Sequence, residues 1–152
     1  MNKQVEVAMS ELSELLLDGL SRGQEVTLPV TGVSMLPFLR PQRDAAVLIA
    51  ADPAALRRGD VALFRRDNGQ YVLHRVHAVE ETPARAYVML GDAQWIGERV
   101  LPLQVLAVAT AFEVKGRRIS TESPAYRRRV ALWRWLLPLR RVLLVVWRRL
   151  PK

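Results

Sequence analysis

The sequence predicts a mainly β domain, a compact barrel or coiled sheet, with a helix at each end. Three observations carry this. Between residues 25 and 111, short β-branched and apolar runs alternate closely with turn residues, the pattern of short strands joined by tight turns. Before them, apolar residues recur at helical spacing from about residue 4 to 21. After them, a polar stretch, 116–126, leads into a tail rich in Arg, Trp and Leu.

In the first helix Val5, Met9, Leu12, Leu15, Leu16 and Leu20 make the apolar stripe, with Glu6, Glu11, Glu14 and Asp18 between them and Gly23 as a stop. Such a stripe packs on a domain; its acidic polar face disfavours anionic lipid. "EVTLPV" (25–30) is a short strand and "AAVLIAA" (45–51) a strand of buried type. Gly59 and Asp60 turn the chain into a strand Val61–Arg65, and "DNG" (67–69) makes the hairpin to "QYVLHRVHAV" (70–79). "ARAYVML" (84–90) is a strand ended by Gly91, and "QVLAVATAFEV" (104–114) is a strand pair or one long strand. In the tail, Arg127, Arg134, Arg141 and Arg148 lie seven apart and track one helix face, Arg129 and Arg140 fall roughly opposite, and Pro138 kinks the helix. The organisation expected is an N-terminal helix (1–24), a β domain (25–115), and a linker with a basic C-terminal helix (116–152).

The chain has 152 residues, half of them apolar, enough for one domain with a real core. It has no cysteine, which excludes disulfides, thiol catalysis and Cys-based metal sites. The net charge of +8 is unevenly placed: residues 1–114 sum to −3 and residues 115–152 to +11. Such asymmetry points the tail toward an anionic partner. Residues 127–149 fit an interfacial anchor on an anionic membrane surface, with arginines on headgroups and tryptophans at the boundary. They fit equally a helix packed on the domain with its arginines solvated. Nucleic acid is the unlikely third partner, since the tail carries no binding motif. The N-terminus lacks the basic and apolar regions of a signal peptide. The long uncharged stretch 100–112 contains Pro102 and falls short of the roughly 18 residues a spanning helix needs. The expected location is cytoplasmic, or peripheral at the inner membrane surface.

The chemistry centres on "PVTGVSMLPFL" (29–39), where Ser34 stands in an apolar turn between Gly32 and Pro37. A serine in such a turn ordinarily satisfies its own backbone. The residues around and beyond it favour a nucleophile. "GVSMLPFL" resembles the nucleophile box of the signal peptidase I family, with Gly32, Ser34, Met35, Pro37 and Leu39 in register. "RGDVALF" (58–64), "YVLHRVHAV" (71–79) and "LGDA" (90–93) resemble that family's three later boxes, in the same order. Each box alone is weak; the four in sequence cover roughly residues 27–110.

The resemblance implies a small signal-peptidase-like β-fold and a serine endopeptidase that needs neither metal nor organic cofactor. Many relatives carry lysine as the base; His74 resembles the endoplasmic-reticulum, archaeal and sporulation-type branch, which uses Ser and His. Histidine suits the task because it titrates near neutral pH, whereas lysine must be desolvated first. A carboxylate that fixes its tautomer helps. Asp92, in the intact Gly-Asp box, is the favoured candidate; Glu98, six residues on, is the other. The Ser34 backbone N–H serves as oxyanion donor, with Gly32 where some relatives have a hydroxyl, and Met35 lines the pocket for the residue before the cut. Substrates, a peptide or a preprotein with small residues at the cut, bind as an added strand. His77 faces the other side of its strand, and Asp60 is ordinary turn chemistry. The alternatives are a degenerate peptidase fold that only holds a peptide, and a self-cleaving repressor relative; the latter is disfavoured by histidine at the base position.

Overall fold

The computed structural model describes residues 13–149. Its centre is an antiparallel sheet of eight strands, so the mainly β expectation holds. The strands are β1 (Val26–Pro29), β2 (Ala45–Ala50), β3 (Val61–Arg65), β4 (Tyr71–Glu80), β5 (Ala86–Leu90), β6 (Glu98–Val100), β7 (Val105–Val114) and β8 (Arg117–Ser120). The helices are α1 (13–21), α2 (Pro124–Trp135) and α3 (Arg140–Arg149). The strand order is β1-β2-β7-β3-β4-β5-β6. One edge of β7 follows β2; its other edge pairs first with β3 and then, beyond Ala109, with β8. Of residues 104–114, Val105–Val114 thus form one long strand rather than a pair, and it serves both halves of the sheet.

Alternation along β3 explains why the strands read as unbroken apolar runs. Val61 and Leu63 face one core, with Leu16 and Leu20 of α1, Met35, Leu39, Leu48 and Phe112. Ala62 and Phe64 face a second core, with Leu56, Val76, Tyr87, Met89, Val100 and Val105. A strand covered on both faces has no polar side to show. Burying each large side chain here stabilises the fold by roughly 1.5–3 kcal/mol. The turns fall at the expected glycines: Gly59 and Gly69 take φ of 98° and 87°, a region that penalises any Cβ.

Three expectations are corrected. The stretch 116–126 is not all linker: Lys115 and Gly116, both at positive φ, form a tight turn, and β8 pairs back on β7. Its pattern, Arg-Arg-Ile-Ser, has too little apolar alternation to announce a strand. The tail is two helices, broken by a 3-10 turn at Leu137–Leu139 that contains Pro138. The arginines Arg127, Arg134, Arg141 and Arg148 are split between the two helices, Arg134 half-buried and the other three exposed, and Arg140, expected opposite, is buried against the domain. The third correction is β6, a three-residue strand that the sequence pattern does not announce. Of the first helix, residues 4–12, with Val5, Met9 and Leu12, lie outside the described residues; Leu16 and Leu20 are buried as expected, while Leu15 is exposed.

Candidate active site

The segment after β1 is a run of tight turns, closed by Leu36 N–H to the Val33 carbonyl at 3.2 Å and Leu39 N–H to the Met35 carbonyl at 2.9 Å. Met35, Leu36 and Leu39 are buried and anchor the loop from beneath, which leaves Ser34 half-exposed at its rim. The loop is also clamped from the side. Ala93 N–H donates to the Ser34 carbonyl at 2.8 Å. At Gly91 the approach is so close that a Cβ would lie 2.7 Å from that carbonyl oxygen and 3.0 Å from the Ser34 Cβ. The glycine of "LGDA" is there because nothing larger fits against the serine.

His74 reaches the serine from β4. In the sheet it stands opposite Ala62 of β3, and its ring packs edge-on to Phe64 with centroids 6.0 Å apart. Strand β5 pairs with β4 only as far as Leu90 opposite Arg75, one residue short of His74. The neighbouring position falls to the loop that begins at Gly91, and the Ser34 turn meets His74 there. His74 Nε2 lies 3.1 Å from Ser34 Oγ, and the side chain is 3% exposed. Burial pushes the imidazole below its ordinary pKa; Glu98 pulls it up and Arg66 pushes it down by charge. Burial thus favours the neutral ring, whose Nε2 can accept a proton.

The other ring nitrogen decides between the two carboxylates. Glu98 Oε1 lies 3.5 Å from His74 Nδ1, and Nδ1 makes no hydrogen bond among the described residues. The contact is electrostatic and slightly too long for a hydrogen bond. Glu98 is held there by Arg66, which donates to both its oxygens at 2.8 and 2.5 Å and keeps its carboxyl below the usual range. Asp92 is not at the histidine. Both its oxygens accept from buried Arg75, at 2.8 Å each. The favoured assignment of Asp92 as the group that orients His74 is thereby corrected: successive residues of a strand face opposite ways, and Asp92 engages Arg75 on the face away from His74.

Asp92 instead ties the motifs together. Arg75 also donates to the Gly59 carbonyl at 3.0 Å and to Tyr126 Oη at 2.7 Å. Burial opposes its charge, yet Asp92 and Tyr126 hold its pKa above the ordinary value. Gly59 N–H donates to the Val76 carbonyl, and Val76 N–H to the Asp60 carbonyl, which seat the "RGD" turn on β4. Asp60 Oδ2 accepts from Arg57 N–H, the turn chemistry expected of it. The four sequence boxes meet around one serine and one histidine.

The other expected site residues have varied fates. Gly32 is exposed, with open space where a side chain would be. Met35 is 2% exposed and sits in the core, so its expected role as a pocket wall is corrected: the same turn that lifts Ser34 drives its neighbour inward. Pro37 lines a separate cleft of about 800 Å³ between the C-terminal helices and β7–β8, which contains neither Ser34 nor His74. His77 lies on the Arg75 side of the strand, beside Arg134 and Arg140. Among the described residues the Ser34 N–H has no acceptor, which leaves it available as a donor. Sequence reasoning missed Arg66, which precedes the "DNG" turn without any motif. It also missed Tyr126 and Trp133, whose Nε1 donates to the Asp92 carbonyl at 2.8 Å. No protein-family model, no curated protein and no solved structure matches the chain.

Proposed function

We propose that the protein is a serine endopeptidase of signal-peptidase-like fold that cleaves a peptide, leader or signal sequence after small residues, using Ser34 and His74 with Glu98 behind the histidine. The observation that carries this reading is the 3.1 Å approach of Ser34 Oγ to the buried His74. The resemblance of the four motifs to the signal peptidase I family supplies the substrate class.

The chemistry runs through these groups in order. Ser34 Oγ attacks the scissile carbonyl as its proton passes to His74 Nε2. The imidazolium so formed has Nδ1–H turned to Glu98, whose charge stabilises it. The developing oxyanion takes the Ser34 N–H. His74 returns the proton to the leaving amine, and water, deprotonated by the same nitrogen, releases the acyl group from Ser34. Strand β6, at the end of the sheet and carrying Glu98, offers an edge for a substrate strand.

The test is digestion of a diverse peptide library read by mass spectrometry, with wild type beside Ser34→Ala and His74→Ala. Cuts after small residues that vanish in both variants are expected. Cleavage that survives Ser34→Ala would defeat the assignment.

A further inference from the structure

We infer that the outward face of the C-terminal helices docks on an anionic lipid surface, next to the Ser34 loop. The argument begins with which face of α3 is already committed. Leu144 and Arg140 are buried at 4% and 2% exposure, and Trp147 lies under the Arg40 guanidinium at 5.0 Å. Arg140 donates to the carbonyls of Trp133 and Gln94. Rolling the helix would expose the leucine and strip a buried cation of its acceptors, so the inner face is fixed.

The outer face is then apolar by construction. Val142, Val145 and Val146 are 64%, 50% and 52% exposed, and Leu139 and Trp135 just before them are 54% and 76% exposed. Surface helices normally place polar residues there. The exposed polar residues of α3 itself, Arg141, Arg148 and Arg149, are all cations. Arg127, Arg128 and Arg129 extend the charge along α2, and no acid follows Glu122 in the chain. An apolar strip flanked by exposed cations, with Glu122 paired to Arg127 at the start of α2, is complementary to headgroup phosphates above acyl chains. No helix among the described residues is long and apolar enough to cross a membrane, so the contact is in-plane.

The surface continues to the candidate active site. Arg141 stacks on Trp95 at 4.5 Å, and Trp95 and Ile96 are 47% and 76% exposed. Both belong to the loop whose Ala93 holds the Ser34 carbonyl. Tryptophan at such a rim suits the bilayer interface. The catalytic consequence, that substrates are met at the lipid surface, rests on the peptidase reading; the docking does not.

The test separates the two. Full-length Ser34→Ala protein, with no activity required of it, is sedimented with vesicles of phosphatidylcholine alone and of phosphatidylcholine mixed with phosphatidylglycerol. Binding to the anionic vesicles at least about tenfold tighter than to the neutral ones, weakened by salt, is expected. The pair Val142→Glu and Val146→Glu, both exposed, should reduce that binding at least about tenfold while the thermal unfolding midpoint stays in place. Equal binding to both vesicles, no binding, or binding untouched by the pair would overturn the proposal. So would a dimer dispersed by the same pair, or a DNA complex, without vesicle binding.

Discussion

Replacing Glu98 with Gln keeps the side chain's shape and removes its charge. Oε1 lies 3.5 Å from His74 Nδ1. At that distance an imidazolium and a carboxylate attract by about 1 kcal/mol in bulk water and about 5 kcal/mol at an effective dielectric of roughly 20. Glu98 is 31% exposed and shared with Arg66, whose charge opposes the imidazolium, so the lower end of that range applies, about 1–1.5 kcal/mol. The imidazolium forms only once Ser34 has given up its proton. The loss therefore falls on kcat, about tenfold. The same loss lowers the His74 pKa, because the Glu98 charge favours the protonated ring. The base works when neutral, so activity falls as pH drops through this pKa, which burial already holds below 6.5. Glu98→Gln should move that acidic limb to still lower pH, and Arg66→Gln, which removes the opposing cation, should move it up. The assay is kcat and kcat/KM against pH on one peptide found by the library digestion. If Glu98→Gln leaves both kcat and the limb in place, while Asp92→Asn shifts the limb in protein that remains folded, the assignment of roles to the two carboxylates is wrong.

Two further substitutions probe the scaffold of the site. Gly91→Ala puts a methyl group 2.7 Å from the Ser34 carbonyl oxygen, which must displace the nucleophile loop. A loss of about a hundredfold in kcat, with a modest shift in urea midpoint, is expected; unchanged turnover would refute the close packing. Asp92→Asn leaves the Arg75 charge buried with no counter-ion and should lower unfolding stability by about 3–5 kcal/mol in chemical denaturation. Tyr126→Phe removes one hydrogen bond from the same arginine and should cost only about 1 kcal/mol; an equal loss from the two variants would argue against the ion pair as the dominant tie.

Strand and turn chemistry was legible because it is local. Alternating apolar residues, Gly59 before β3 and "DNG" before β4 act within a few residues, and the elements formed where those signals lie. β6 and β8 escaped for the same reason. Three residues at Glu98–Val100 and an Arg-rich quartet at Arg117–Ser120 carry almost no local preference; they are strands because β5 and β7 offer edges to pair with.

The candidate site divides along the same line. The amino-acid order by itself determined the mainly β class, the turn that carries Ser34, the strand that carries His74 and a disturbance of the tail helix at Pro138, since each rests on periodicity, glycine or proline within one segment. Only the tertiary structure decided that Glu98 and not Asp92 faces His74, that Arg66 holds Glu98, that Met35 turns into the core, and that Arg140 is buried while the valines of α3 are exposed. Those outcomes depend on strand register and on which helix face finds the domain. They join residues as far apart as Arg75 and Tyr126, and the energy that selects them exists only once the chain has brought them together.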